Sequence, residues 1–183
     1  MENYTKILDK VKKYASSIGF NVVIKNNIDE YFKGDMDGVN IYCTDLDDEE
    51  ELFNVLHMIG HCIQWNVSDE LRALGSQLYK NPEPALLKRL QEYEWEANCY
   101  ALYILHEVGC HTLDHWLYDK YIKDMAYLTH YYMTGEKLRL ITQLSLQYSF
   151  IELLVPKQIP SFNPKQIETT RNGIVIDFDK MQG

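Results

Sequence analysis

Leu56-His57-Met58-Ile59-Gly60-His61-Cys62-Ile63-Gln64-Trp65 places two histidines four residues apart in a run without Lys, Arg, Asp or Glu. On a helix, four residues turn the chain about 40° past a full circle and advance it about 6 Å, so both imidazoles leave one face and can converge on one ion. The pair alone equally describes two ordinary helix histidines, so a third ligand has to be found. The uncharged run extends from Leu52 to Ser68 but holds two Asn, two His and a Gln, and does not read as a membrane span.

The third ligand is sought on the next long helical pattern, which follows Asn81-Pro-Glu-Pro84 and runs to about Val108, with Gly109 as its stop. There Leu87, Leu90, Glu94, Ala97, Asn98, Ala101 and Leu105 form one stripe in which Glu94 is the only charged member. A lone carboxylate on an apolar stripe needs a partner, either a metal ion or a salt-bridging core residue. Asn98, one turn on, is placed to accept a hydrogen bond from the far ring nitrogen of a ligating histidine. Glu92 and Glu96 lie about 200° around from Glu94 and read as a solvated acidic face.

The two stretches together, His57-x-x-Gly60-His61 and then Glu94-Trp-Glu-Ala-Asn98, resemble the gluzincin metallopeptidases, most closely the ImmA/IrrE-type branch with its HExGH and E-x-E-A-N pattern. The likeness covers about residues 39 to 108. It implies a zincin-like fold, Zn²⁺ held by His57, His61 and Glu94 with Asn98 behind them, and a cytoplasmic peptidase acting on a protein or peptide partner. One departure bears on the chemistry. Met58 stands where the family carries the glutamate that activates water, and a thioether cannot accept a proton. The expected protein is therefore metallopeptidase-like with weak or no peptidase activity. The rival readings are a pseudoenzyme that uses the old cleft to hold a partner, and a helical protein without metal. Glu51 and Glu107 are the carboxylates considered as substitute bases, though no spacing ties either to the site.

The rest of the chain supports an α+β, mostly helical single domain with a small β-sheet. Ile7, Leu8, Val11, Tyr14 and Ala15 predict a first helix before Gly19. FNVVIK (20–25) and VNIYC (39–43) predict two strands, separated by a segment carrying the turn composition GDMDG (34–38). The acidic run 45–51 opens the metal-site helix, which is expected to end near Trp65, and a short helix is expected from Ser68 to about Lys80. Thr112 is the expected cap of a further helix to about Thr134, followed by another from Glu136 to about Leu154. Prolines 156, 160 and 164 predict a strap from about residue 155, and GIVIDF (173–178) a last strand.

With 18 basic and 27 acidic residues the net charge is −9, which argues against a nucleic-acid or anionic-membrane partner. The charged N-terminal MENYTKILDKVKK has no apolar core of a signal segment, and the four dispersed cysteines form no C-x-x-C, so a cytoplasmic, reduced protein is expected. His111 and His115 repeat the four-residue spacing beside a loop, where surface or capping roles are the ordinary outcome. Trp116, Leu117, Tyr121, Met125, Leu128 and Tyr132 read as a core stripe. P-loop, G-x-G-x-x-G and G-x-S-x-G motifs do not occur.

Overall fold

Three of the helices start where the sequence supplies an acceptor for their first free amides. In the computed structural model, which describes residues 3–24, 34–44, 46–77, 79–136 and 152–167, Asn3 Oδ1 accepts from the Lys6 amide at 3.0 Å and opens α1 (Tyr4–Ser17). Asp47 Oδ1 accepts from the Glu50 amide at 3.0 Å and opens α2 (Asp48–Val67), whose first turn is Asp48, Glu49, Glu50 and Glu51. These carboxylates face the positive end of the helix. Ser68 caps α3 (Asp69–Gly75) through the Leu71 amide at 3.1 Å. Proline, lacking an amide hydrogen, begins α4 (Pro84–Glu107).

The short α3 stops well before Lys80, because Gly75 and Ser76 are poor helix formers and the chain is drawn away to bond Asn81 N–H to the Tyr132 carbonyl at 2.7 Å. Thr112 does not cap the next helix. A 3₁₀ turn at His111–Leu113 precedes α5 (Asp114–Thr134), and its Leu113 N–H bonds the Cys110 carbonyl, so no side-chain cap is used there. Gly135 closes α5 at φ +75°, in the left-handed region, with its N–H on the Tyr131 carbonyl at 2.8 Å. The helix expected from Glu136 to about Leu154 lies mostly outside the described residues, and residues 152–154 are not helical. The strand expected at 173–178 also lies outside them.

The sheet holds three strands, β1 (Asn21–Ile24), β2 (Gly34–Met36) and β3 (Asn40–Cys43), in the order β1-β3-β2. β1 runs parallel to β3 with Asn21 opposite Asn40, and β2 runs antiparallel with Gly34 opposite Cys43. The segment GDMDG, expected as turn throughout, is thus half strand. Burial of Met36 pulls it into the sheet, and the turn contracts to Asp37-Gly38, where Asp37 Oδ1 accepts the Val39 and Asn40 amides at 3.0 and 2.7 Å.

The result is a mostly helical α+β domain in which α2 is the central element. It is buried on every face from Val55 to Trp65, between α1, the sheet and α4. Fully burying a Leu or Ile side chain contributes about 1.5–3 kcal/mol, so Leu52, Leu56, Ile59 and Ile63 anchor the helix that carries both histidines. The strap, 152–167, has no regular structure and crosses the molecule. Lys157 N–H bonds the Cys99 carbonyl at 3.2 Å, Phe162 stacks on Phe20, and Ile167 N–H reaches the Asp37 carbonyl at 2.7 Å. All four cysteines are buried and unpaired by disulfides. Among the described residues, no helix is long and apolar enough to cross a membrane.

Candidate metal centre

The site exists because α2 and α4 come unusually close. A Cβ built on Gly60 would fall 2.2 Å from the Ala97 carbonyl oxygen, well inside the shortest separation real Cβ atoms show. Glycine in mid-helix costs about 1 kcal/mol against alanine; here it admits a neighbouring backbone. Gly60 lies beside His61 in sequence and Ala97 lies one helical turn past Glu94, so this contact sets how far the histidines stand from the carboxylate.

His57, His61 and Glu94 do converge. His57 Nε2 and His61 Nε2 are 3.0 Å apart, and Glu94 Oε2 lies 3.3 Å from the first and 3.1 Å from the second. Ligands at about 2.0–2.1 Å around a tetrahedral ion sit about 3.3 Å from one another. The three atoms therefore already outline one face of such a shell. The residues are 9%, 2% and 5% exposed, and among the described residues they form the only group of three or more such side chains that could hold a metal ion.

Around them stand side chains that fix orientation. Gln64 is fully buried, and its amide nitrogen donates to the Tyr93 carbonyl and to Glu96 Oε2, both at 2.8 Å. Its oxygen must then face His61 Nδ1, 2.9 Å away, so that nitrogen carries the proton and Nε2 offers its lone pair. Tyr93 stacks on the His61 ring at 4.5 Å. Tyr132 O–H donates to Glu94 Oε1 at 3.1 Å, and burial, with the Glu94 charge beside it, pushes that phenol well above its ordinary range.

Asn98 reaches His57 with the polarity opposite to expectation. Its nitrogen, not its oxygen, faces His57 Nδ1 at 3.1 Å and also donates to the Glu94 carbonyl at 2.9 Å. Asn98 Oδ1 is buried and has no partner. The orphaned oxygen is an acceptor without a donor: a turn of the carboxamide that gives up its bond to the Glu94 carbonyl would aim it at a protonated Nδ1 and free His57 Nε2 for coordination.

The electrostatics agree with a compact cationic–anionic cluster. Burial alone would raise the Glu94 carboxyl, but the two imidazoles beside it outweigh burial and hold it well below the usual carboxylate range. Burial opposes charge on His57 as well, yet its bond to Glu94 and the charges of Asp124 and Glu94 raise it above the ordinary histidine value. Asp124 Oδ2 is 3.9 Å from His57 Nε2. Burial, helped by the Glu94 and Glu50 charges and opposed by His57, pushes the Asp124 carboxyl up to about 6.

The remaining candidates fall elsewhere. Met58 is buried against β2, where a Cβ on Gly34 would meet its Cγ at 2.7 Å. Glu51 pairs with Lys12 at 2.6 Å, on the α1 side of the helix, and Glu107 is exposed at the end of α4. Glu92 is exposed beside Lys88, as expected of a solvated face. Glu96 is not: it is held by Lys157 of the strap and itself holds Gln64. His111 and His115 are exposed, and His111 packs on His106, which bonds Asp114 at 2.9 Å.

Sequence reading passed over Gln64, Tyr132 and Asp124. Gln64 stands three residues after His61, a neighbour on the helix face, so its signal was legible. Tyr132 was placed in a core stripe and Asp124 drew no notice, because only tertiary packing tells which face of α5 meets the histidines. Comparison with protein-family models, curated proteins and solved structures found no match to the chain.

Proposed function

We propose that the protein binds one zinc ion through His57, His61 and Glu94 and is a metallopeptidase-like protein of low general activity. The observation that carries this reading is the mutual spacing of the three buried ligand atoms, 3.0, 3.1 and 3.3 Å. Two imidazoles and one carboxylate are a donor set that zinc favours, and three protein ligands leave a fourth position open to water or substrate, as in hydrolytic sites. When bound, the ion would polarise a carbonyl and acidify a water. The chain's own parts do the rest: Gln64 presents His61, Tyr132 holds Glu94, and Asn98 stands against His57 Nδ1. The likeness of the two motifs to gluzincins of the ImmA/IrrE type points the same way.

Met58 favours a second reading beside the first. With a thioether in the position of the usual base, the cleft can hold a protein segment without cutting it, as an interaction protein that keeps the ion. Elemental analysis of protein purified without added metal, followed by peptide hydrolysis, tests both. About one zinc per chain, lost on His57→Ala and on His61→Ala, is expected, with a rise in stability of about 2.7 kcal/mol at zinc a hundredfold above its dissociation constant. No bound metal and no thermal shift with zinc would overturn the metal assignment. Robust hydrolysis by the wild type would remove the interaction reading.

A further inference from the structure

α5 brings two polar side chains to the cluster. Tyr132 supports Glu94 from behind, whereas Asp124 stands beside His57, with Oδ2 3.9 Å from the nitrogen that faces the other two ligands. Its side chain is 28% exposed, against 11% for His57 and 6% for Glu94, so it lies on the side of the cluster that solvent reaches. The compact ligand group does not include it. An ion held by the three ligands would keep one coordination position open to a water. Tyr93 stacks on the His61 ring, Phe53 stacks on the His57 ring and Tyr132 bonds Glu94, whereas Asp124 brings a carboxylate beside His57 on the solvent side. A carboxylate oxygen 3.9 Å from His57 Nε2 is near enough to share a water with the site, which is what proton transfer from that water requires.

We infer that Asp124 is the proton acceptor for a water in the open position of the site, the role Met58 cannot fill. This rests on the metal assignment above. Asp124 Oδ2 takes one proton as the water oxygen bonds to the carbonyl carbon of a peptide. The same proton passes to the amide nitrogen as the C–N bond breaks, giving a carboxylic acid, an amine and the ionised Asp124. The base comes from α5 instead of α2, and it is shorter than a glutamate and partly in solvent, which fits slow hydrolysis.

Cobalt(II)-loaded wild type and Asp124→Asn provide the test, read by visible absorption of the ion. Acetohydroxamate surrenders a proton as it ligates; azide has none to give. Expected are one cobalt per chain in both proteins with affinities within about tenfold, and hydroxamate binding weakened about 10–100-fold in Asp124→Asn, the worth of a hydrogen bond to a charged group. Azide should bind as well or better, and slow hydrolysis of a generic peptide should fall by about 10²–10⁴. Asp124→Glu, which restores the carboxylate, should recover part of the hydroxamate affinity and guards against a folding defect in Asp124→Asn. Loss of cobalt affinity beyond about 100-fold in Asp124→Asn would make Asp124 a ligand and overturn the inference. Unchanged hydroxamate binding, or wild type that holds cobalt without hydrolysing peptide, would overturn it too. Failure of the wild type to bind cobalt would instead bring down the metal assignment itself.

Discussion

Gly60→Ala puts the geometry of the centre under direct strain. The new Cβ would stand 2.2 Å from the Ala97 carbonyl oxygen, and ordinary contact begins at 3.4 Å. The obstructing atom is backbone, so no rotamer change relieves it, and α2 and α4 must part by about 1 Å. That displacement carries Glu94 Oε2 from its present 3.1 and 3.3 Å from the two imidazoles to about 4 Å, beyond the roughly 3.3 Å that ligands of one ion share. Overpacking a core costs about 1–3 kcal/mol, and the alanine returns about 1 kcal/mol of helix propensity. A net loss of up to about 2 kcal/mol lowers the melting temperature of a chain this size by up to roughly 8 °C. Metal affinity should fall more than about 100-fold, since disturbing even the residues behind the ligands costs about 10–100-fold. Circular-dichroism melting of the metal-free protein and competition against a chromophoric chelator give the two numbers separately. A variant that melts higher than wild type would show that the helices are not in tight contact at Gly60. One that is destabilised but binds zinc as before would show that the contact does not set the ligand spacing.

Three further outcomes follow from the same arrangement. Met58→Glu, a side chain of similar length, should raise hydrolysis of a generic peptide by about 10²–10⁴, and His57→Ala in that background should abolish the gain; no gain in zinc-loaded protein would mean that position 58 does not look onto the reacting centre. Gln64→Leu keeps the shape but strips the acceptor from His61 Nδ1 and the donor from Glu96 and Tyr93, so zinc affinity should drop about 10–100-fold and stability about 1–3 kcal/mol; wild-type affinity would remove Gln64 from the centre. The pH dependence has a definite sign. His57 is raised above its ordinary value by Glu94 and Asp124, and only neutral imidazole ligates, so zinc uptake should release a proton and weaken about tenfold per pH unit below the raised value. In the metal-free protein the His57–Glu94 pair contributes its full stability only below the ordinary histidine value of about 6.5 and loses it as pH rises through the raised one. Calorimetry in buffers of different ionisation enthalpy counts the proton, and a count near zero at pH 6 would contradict the raised His57 value.

Much of this was legible before any coordinates, because the periodicities concerned are local. Four-residue spacing put His57 and His61 on one face, and the apolar stripe singled out Glu94. The limits are physical as well. β2 was hidden because Gly34-Asp35-Met36 has turn composition, and only the burial of Met36 makes it a strand. Glu96 was assigned to solvent from its angle on α4, yet the strap returns from far along the chain to set Lys157 beside it. A helical wheel distinguishes inside from outside only for a helix packed on one side, and α4 is packed on more.

That return contact changes how the centre is held. Lys157 holds Glu96, Glu96 and the Tyr93 carbonyl fix Gln64, and Gln64 fixes His61, so one histidine is committed to coordination before any ion arrives. The other is not. Asn98 donates to His57 Nδ1, so in neutral His57, above its raised value, the proton sits on Nε2, the nitrogen that faces Glu94. In that state Nε2–H and the carboxylate satisfy each other, a pairing that keeps Glu94 from being a bare buried charge, whose cost would run to several kcal/mol. Uptake of an ion would exchange this bond for two ligations and shift the His57 proton to Nδ1, where the unpartnered Asn98 oxygen would receive it at the expense of the Asn98 bond to the Glu94 carbonyl. The polar network is therefore complete around His61 and reversible around His57, and the reversible half lies next to Asp124 and the solvent side, where an ion would enter.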